Sequence, residues 1–189
     1  MVKPVSFEVR MTLLFVLYSL QGVWFGFFFE TFMIRLREVF SFSGMGLIAW
    51  AGTPFAFKMI QTPFVESMYF EWPGKRLSWI VPNNFICAFA LYMLGTNLEA
   101  YLEAKDSFTI FIWAVLYTIC VCNSDIALDG LAVEIIPKEK QSFAASSESV
   151  GINIGRIFGA SGMTALSSLS FCNTYLFSEP RDKPLISLD

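Results

Sequence analysis

Long stretches without a charged residue alternate with short polar segments along the chain. The uncharged stretches are Met11–Phe29, Val39–Phe57, Leu77–Leu98, Ser107–Ser124 and Ile157–Ser178. Each is close to the ~20 apolar residues that an α-helix needs to cross the hydrocarbon core of a bilayer. Extended through their polar flanks, they predict helices near residues 11–33, 42–65, 79–98, 108–136 and 143–171. We therefore expect an all-α membrane protein with about five transmembrane helices.

The segments that connect these helices are short. They are Arg35–Phe42, Glu66–Ser78, Glu99–Asp106 and Pro137–Ser142, and the turn signals Pro73-Gly74 and Pro137 lie within them. Nothing has the composition of a linker, so residues 1–189 are predicted to form a single transmembrane domain. A slight excess of Lys and Arg favours a cytoplasmic N terminus.

Composition agrees with this prediction and excludes other classes of protein. The chain is 55% hydrophobic and 15% charged, whereas soluble domains average roughly 25% charged residues. A soluble helical protein would also need polar helix faces, which these stretches lack. The net charge is −3 and there is no basic stripe, so nucleic acid is not expected as a partner.

The chain contains no histidine, which excludes a Ser-His triad and a His-bound zinc ion. The cysteines are Cys87, Cys120, Cys122 and Cys172, and three of them lie in apolar stretches where a free thiol behaves as a small hydrophobic group. Cys120 and Cys122 lack the second pair of ligands that a structural metal site requires. We therefore predict buried structural thiols, no metal site and no cofactor.

The charged residues inside the predicted spans are the candidate functional residues. Glu30 and Glu134 lie near helix ends and are expected to reach the membrane interface. Lys58, Asp125, Asp129 and Arg156 lie deeper, where a charge costs at least roughly 2.5–3.5 kcal/mol. They should therefore face protein or a wet cavity. Their depth along the helices predicts two ion pairs, Asp125–Arg156 and Asp129–Lys58.

The fifth predicted helix carries two different patterns. Gly151, Gly155 and Gly159 recur every fourth residue, a spacing that lets two membrane helices approach closely. Polar residues follow helical spacing on another face, namely Ser146, Ser149, Asn153 and Arg156. The glycines are therefore predicted to pack helices, and Asn153 and Arg156 are candidates for lining a cavity.

Two enzyme interpretations fail on geometry. Asp125 and Asp129 lie one turn apart on one helix, whereas an aspartyl protease needs carboxylates that face each other. Asp129-Gly130-Leu131-Ala132 begins like the signature of lipid-alcohol phosphotransferases, but Val133 follows and the further aspartates for metal are missing. We therefore do not expect an enzyme.

Several segments, in order along nearly the whole chain, resemble the acetyl-coenzyme A transporters. Phe55–Tyr69 resembles the end of their helix two, and Gly74–Pro82 resembles their Gly-Arg-Arg-Lys-Ser-Trp-Leu-Val-Pro stretch. Ser124–Gly130 is similar to their Gln-Asp-Ile-Ala-Val-Asp-Gly motif in helix four. Ser149–Gly151 with Gly155–Gly159 resembles their helix five, and Phe171–Asn173 followed by Tyr175-Leu176 resembles the luminal segment after it. The bacterial muropeptide permeases share the helix-two and helix-four patterns more loosely.

The resemblance implies a major facilitator superfamily fold of twelve helices that moves acetyl-CoA into the lumen of the endoplasmic reticulum or Golgi. It also implies a cytoplasmic gate motif, formed by Glu66, Gly74, Lys75 and Arg76, and a substrate cavity lined by helices one and four. In this sequence Glu66 replaces the aspartate of the family, Ser124 a glutamine, Leu131 a tryptophan and Arg156 a tyrosine.

An acyl-coenzyme A carries phosphates and an adenine, so its carrier needs cations and a stacking surface. Arg156 and Lys58 are the candidate cations, although Lys58 is expected chiefly to neutralise the aspartates, and Trp24 and Phe28 share a helix face as stacking candidates. The expected partners are the lipid bilayer, acetyl-CoA, and a second copy or a missing carboxy-terminal half. Such folds repeat three helices plus three, and here the chain is expected to stop before the sixth helix. The alternatives are a membrane fragment that binds or serves as a scaffold without transport, and a carrier of another anionic solute.

Overall fold

The computed structural model describes residues 6–177 and 181–182, and these are built from helices and short connections. The α-helices are α1 (Phe7–Phe25), α2 (Met33–Val39), α3 (Phe42–Ala49), α4 (Thr53–Ala56), α5 (Lys58–Ser67), α6 (Leu77–Thr96), α7 (Leu98–Glu103), α8 (Ser107–Ile135), α9 (Gln141–Ser167) and α10 (Leu169–Tyr175). A π-helix at Gly26–Phe32 joins α1 to α2 without a break, and short 3₁₀ turns occupy Trp50–Gly52 and Lys138–Lys140.

Three helical segments are long and apolar enough to cross a membrane. They are Phe7–Val39, Leu77–Thr96 and Ser107–Ile135. The other two predicted spans are also helical, but differ from the expectation in form. The second is divided into α3, α4 and α5, and the fifth ends at Ser167 instead of continuing to residue 171. The prediction of an all-helical membrane bundle is confirmed, and the number of crossings remains a prediction.

The second predicted span is divided where its backbone cannot continue a regular helix. Pro54 lies at the start of α4, where its missing N–H is tolerated, and Phe57 leaves helical geometry at φ −98° and ψ 15°. The carbonyl oxygen of Pro54 accepts hydrogen bonds from the Phe57 N–H at 3.2 Å and from the Gln61 side chain at 2.7 Å. The break places Lys58 at the first turn of α5.

The described chain forms two compact units. The first unit holds the described residues of 1–35 and 136–189, and the second unit is Leu36–Ile135. In the first unit, α1 and the π-helix pack along α9. In the second unit, α8 packs against α3, α4, α5 and α6. The buried residues of α8 include Tyr117, Thr118, Cys122 and Asp125.

Glycines on both helices allow the close approach of α1 and α9 in the first unit. A Cβ atom on Gly155 would collide with the carbonyl oxygen of Ser19, and one on Gly159 with that of Val23. Reciprocally, a Cβ atom on Gly22 would collide with the Ile152 carbonyl. The two backbones therefore touch, as in small-residue packing between membrane helices.

Candidate functional site

A cluster of three charged side chains, of which Asp125 is buried, lies in the second unit. The Lys58 ammonium nitrogen is 2.6 Å from a carboxylate oxygen of Asp125 and 2.7 Å from one of Asp129. The side chain of Asp125 is 10% exposed, and those of Lys58 and Asp129 are about a third exposed, at 33% and 34%. One ammonium group therefore bridges two carboxylates that lie one turn apart on α8.

Apolar packing supports the cluster from the side of α5. Val65, Cys122, Ile126 and Ala127 form a fully or nearly buried core between α5 and α8. The Cys122 thiol is also 3.7 Å from the Pro54 carbonyl at the helix break. Where this packing excludes water, around Asp125, it strengthens the attraction to Lys58 and raises the cost of leaving the carboxylate unpaired.

The structure contains one of the two predicted ion pairs and corrects the other. Asp129 pairs with Lys58, as the depth of the two residues indicates. Asp125 was predicted to pair with Arg156, but its carboxylate binds Lys58 as well. Arg156 instead pairs with Glu30 at 2.5 Å. The reason is that the Glu30 side chain turns from the π-helix towards α9, where it meets Arg156.

A second cluster forms at the short connection between α5 and α6. Arg76 is only 8% exposed, and its guanidinium group binds Glu66 at the end of α5 and Glu134 near the end of α8. The distance from Arg76 Nη2 to the Glu134 carboxylate is 2.6 Å, and Lys75 binds Glu66 at 2.5 Å. Gly74 permits the turn because its φ is +106°, a value that residues with a Cβ atom rarely adopt.

The charges of this second cluster shift the pKa values of its side chains. Hydrogen bonding to Arg76, and then to Lys75, lowers the pKa of Glu66 below its ordinary value. Burial opposes the charged form of Arg76, but its hydrogen bonds to Glu66 and Glu134 outweigh this and raise its pKa. Both side chains therefore remain charged at neutral pH.

Glu134 is a member of this cluster that sequence reasoning missed. It was assigned to the membrane interface because it lies near the end of its span, whereas it also binds Arg76 through two hydrogen bonds of 3.0 and 2.6 Å. Gly130, one turn earlier on α8, makes room for this contact because a Cβ atom there would collide with the Arg76 guanidinium. The signal in the sequence for this contact was Gly130, which lies one helical turn before Glu134.

The first unit holds Arg156 and the other candidates for lining a cavity. Arg156 donates from Nε and Nη2 to a single Glu30 oxygen at 3.0 and 2.5 Å, and both side chains are partly exposed. Asn153 is also exposed, and its amide donates to the Ser149 carbonyl at 2.7 Å.

The aromatic candidates on the first helix differ in accessibility. Phe28 is fully buried, and its ring stacks on that of Phe32 at a centroid distance of 5.5 Å. In this conformation Phe28 therefore packs the protein and presents no free face to a substrate. Trp24 is partly buried. All four cysteines are buried free thiols.

Comparisons with known proteins agree with this architecture. The family described as Acetyl-coenzyme A transporter 1 matches residues 10–189. An uncharacterized membrane protein of Saccharomyces cerevisiae is 32% identical, with 93% of this chain and 35% of that protein covered. A putative transporter of Rickettsia typhi, AmpG 3, is 25% identical over 82% of this chain and 37% of its own length. No solved structure matches the chain significantly.

The helical architecture and its long apolar helices define a polytopic α-helical membrane protein. Within that class, the chain belongs to the acetyl-coenzyme A transporter 1 family, as the resemblance in its motifs predicted. The chain spans about a third of the length of the curated relatives that it matches, 35% and 37% for the two named above.

Proposed function

We propose that this chain forms the amino-terminal part of a carrier of acetyl-CoA, which moves its substrate from the cytosol into the lumen of the endoplasmic reticulum or Golgi. The carrier would have a major facilitator superfamily fold, with this chain supplying up to five helices of its first half. The observation on which the proposal rests is the family match, which extends over residues 10–189.

The two charge clusters of the second unit fit such a carrier. The Arg76 cluster ties the ends of α5 and α8 to the connection before α6 through Glu66 and Glu134. It is suited to act as a cytoplasmic gate, because ion pairs between helix ends break and form when helices shift against one another. The Lys58 cluster lies deeper and holds α5 on α8. Release of the Lys58 ammonium by either aspartate would allow α5 and α8 to rearrange during transport.

Transport of labelled acetyl-CoA into proteoliposomes tests this proposal. The full-length gene product that carries this sequence should accumulate acetyl-CoA, whereas vesicles that hold only this chain should accumulate none, because the remaining helices of the cavity are absent. Substitution Arg76→Gln in the full-length product should reduce the rate of uptake without abolishing insertion. Robust uptake by the chain alone, or no uptake by the full-length product, would overturn the proposal.

The proposed location has a separate test. A fluorescent tag on the full-length product should coincide with a marker of the endoplasmic reticulum or the Golgi. A signal confined to the plasma membrane would contradict the assignment to internal membranes, whatever the substrate.

The second candidate is a carrier of a different anionic solute, and Arg156 is the observation that favours it. By the resemblance described above, this arginine replaces a tyrosine of the related transporters, and it lies on an exposed face of α9. Competition of unlabelled nucleotides, coenzyme A and phosphorylated sugars against labelled acetyl-CoA would rank these substrates. If acetyl-CoA is not the preferred competitor, the alternative substrate class is correct. A scaffold without transport is the remaining alternative, and absence of uptake of all of these solutes would favour it.

A further inference from the structure

We propose that the Arg156–Glu30 pair is an exchangeable anion site, in which Glu30 occupies the guanidinium group until a phosphate of the transported solute displaces it. This inference rests on the proposed function, because it names the group that would receive the substrate phosphates. It concerns residues of the first unit only.

The hydrogen bonds of the pair are incomplete. A guanidinium group has five N–H donors, and Arg156 directs two of its nitrogens, Nε and Nη2, at the same oxygen of Glu30. Among residues 6–177 and 181–182, no other partner is found for Arg156, nor for the second oxygen of Glu30. A pair that served only to stabilise the fold would be expected to use its fork of donors on both carboxylate oxygens.

In the predicted arrangement with five crossings, the pair is accessible at a depth where exposure to lipid is costly. The side chains of Arg156 and Glu30 are 47% and 38% exposed. At about 1.5 Å per residue, Arg156 lies roughly 16 Å from the end of α9 at Ser167, and Glu30 roughly 14 Å from Val39. Charged residues at such a depth almost always face a wet cavity or the interior of a bundle.

The packing of α1 on α9 does not depend on the ion pair. The backbones already touch at Gly22, Gly155 and Gly159. The Thr31 hydroxyl adds a hydrogen bond to the Ala160 carbonyl at 3.2 Å. The pair can therefore open without separating the helices.

The local backbone aims Glu30 at Arg156. A Cβ atom on Gly26, at the start of the π-helix, would collide with the backbone carbonyl of Arg156. Glu30 follows Gly26 by four residues, so its side chain reaches the guanidinium group of that same arginine. π-Helical segments occur frequently at functional sites. Asn153 and Ser149 precede Arg156 at helical spacing and form an exposed polar stripe, beside the exposed apolar side chains of Ile154 and Ile157.

Phosphate is the chemistry that this arrangement favours. A planar guanidinium group binds phosphate oxygens through two parallel hydrogen bonds, and it keeps its charge at any physiological pH. The carboxylate of Glu30 competes for the same donors, and so keeps the cation neutralised when no anion is bound. Such a site prefers a phosphorylated solute to an uncharged one of similar size.

Calorimetric titration of the full 189-residue chain in lipid nanodiscs tests the inference, with inorganic pyrophosphate as the probe and adenosine as the uncharged control. Arg156→Gln should weaken pyrophosphate binding by about tenfold, since it removes the charged hydrogen-bond donors of the site. Glu30→Gln should instead tighten binding severalfold, because the competing carboxylate is gone. Binding of pyrophosphate by the double variant should be as weak as by Arg156→Gln alone.

Two further variants keep the result decisive. Arg156→Lys retains the charge without the planar fork and should bind pyrophosphate with intermediate affinity, even if Arg156→Gln folds poorly. Arg37→Gln removes an exposed arginine of α2 and should leave binding unchanged. The inference is overturned if Glu30→Gln weakens binding or leaves it the same, or if neither the native chain nor Glu30→Gln binds pyrophosphate.

The outcome is separable from that of the proposed function. Tighter binding of pyrophosphate by Glu30→Gln, together with no uptake of acetyl-CoA by the full-length product, would support the anion site and refute the acetyl-CoA carrier. Normal uptake with no effect of Glu30→Gln or Arg156→Gln on binding would do the opposite.

Discussion

Among single residues, Lys58 is the one on which the deeper charge cluster depends. Lys58→Met would leave two carboxylates one turn apart on α8 without their shared cation. The expected loss of stability is about 2 kcal/mol. It is smaller than for a fully buried pair because Lys58 and Asp129 are about a third exposed. Thermal unfolding of the purified chain in detergent should show this as a lower Tm.

The matched control and the rescue of this variant are available in the same chain. Lys138→Met removes an exposed lysine of a 3₁₀ turn and should leave the Tm unchanged. Lys58→Met combined with Asp125→Asn and Asp129→Asn should recover most of the lost stability, because the carboxylates no longer repel each other. A Tm for Lys58→Met equal to that of the native chain would contradict the role of the lysine.

Glu66 gives the chain a dependence of stability on acid. Its pKa in the folded protein is lowered, chiefly by hydrogen bonding to Arg76. Its contribution to stability is therefore fully present above the pKa of the unfolded chain and is lost as the pH falls through the lower, folded pKa. Tm measured from neutral pH down to about pH 3 should fall less steeply for Glu66→Gln than for the native chain.

Glu71 provides the comparison for this pH experiment. It lies in the same connection as Glu66 and is exposed, so Glu71→Gln should follow the pH profile of the native chain. Identical profiles for all three proteins would show that the Arg76 cluster contributes nothing to acid stability.

An ion pair could be predicted from the sequence where the depth of both residues along their helices determines the contact. The pairing of Lys58 with Asp129 could be predicted because both lie about 11 Å from the ends of their predicted helices. The partners of Arg156 and Arg76 could not be predicted. Glu30 and Glu134 were placed at the interface by their distance from the span centre, but a π-helix redirects Glu30 and an arginine from another connection reaches Glu134.

At the scale of elements, the contact between α1 and α9 depends on the absence of side chains at its glycines. Gly155→Ala would push a Cβ atom into the Ser19 carbonyl and the Gly22 Cα atom. Backbone atoms cannot move aside like the end of a side chain, so the helices must separate, at a cost of about 1–3 kcal/mol. The Tm of the purified chain in detergent should fall accordingly.

Gly162→Ala is the matched control, since it lies on the same helix. Nothing lies within 4 Å of a Cβ atom built on Gly162. Alanine is the better helix former by about 1 kcal/mol, so this substitution should be neutral or raise the Tm. Equal losses at both positions would mean that helix propensity, and not the close approach of α1, explains the effect.

Element boundaries followed the apolar pattern where that pattern was uniform. The helices near 79–98 and 108–136 are present as α6 and α8, with ends within a few residues. The division of the second span was not predicted, because hydropathy carries no information about the hydrogen bonding of the Pro54 carbonyl or the distorted backbone angles of Phe57. Those local features place Lys58 at the start of α5, so the deviation from regularity matters for the charge cluster.

At the scale of the whole molecule, the apolar stretches and the helix lengths predict different numbers of membrane crossings. Five crossings follow from the apolar stretches, whereas three helical segments satisfy the length and hydropathy criteria in the described residues. The assignments differ in whether α3 to α5 and α9 cross. A divided helix can still cross when neighbouring helices satisfy its free backbone groups, and α8 packs beside α3, α4 and α5.

Labelling of introduced cysteines with a membrane-impermeant maleimide distinguishes the two assignments. We expect Phe42→Cys and Glu71→Cys to be labelled from opposite sides of sealed vesicles, because α3 to α5 cross between them. Glu103→Cys should share the side of Phe42→Cys, and Glu139→Cys the side of Glu71→Cys. The native cysteines are buried and should give little background. With three crossings, Phe42→Cys and Glu71→Cys would be labelled from the same side, which would reduce the membrane domain to α1 with its π-helix and α2, α6 and α8.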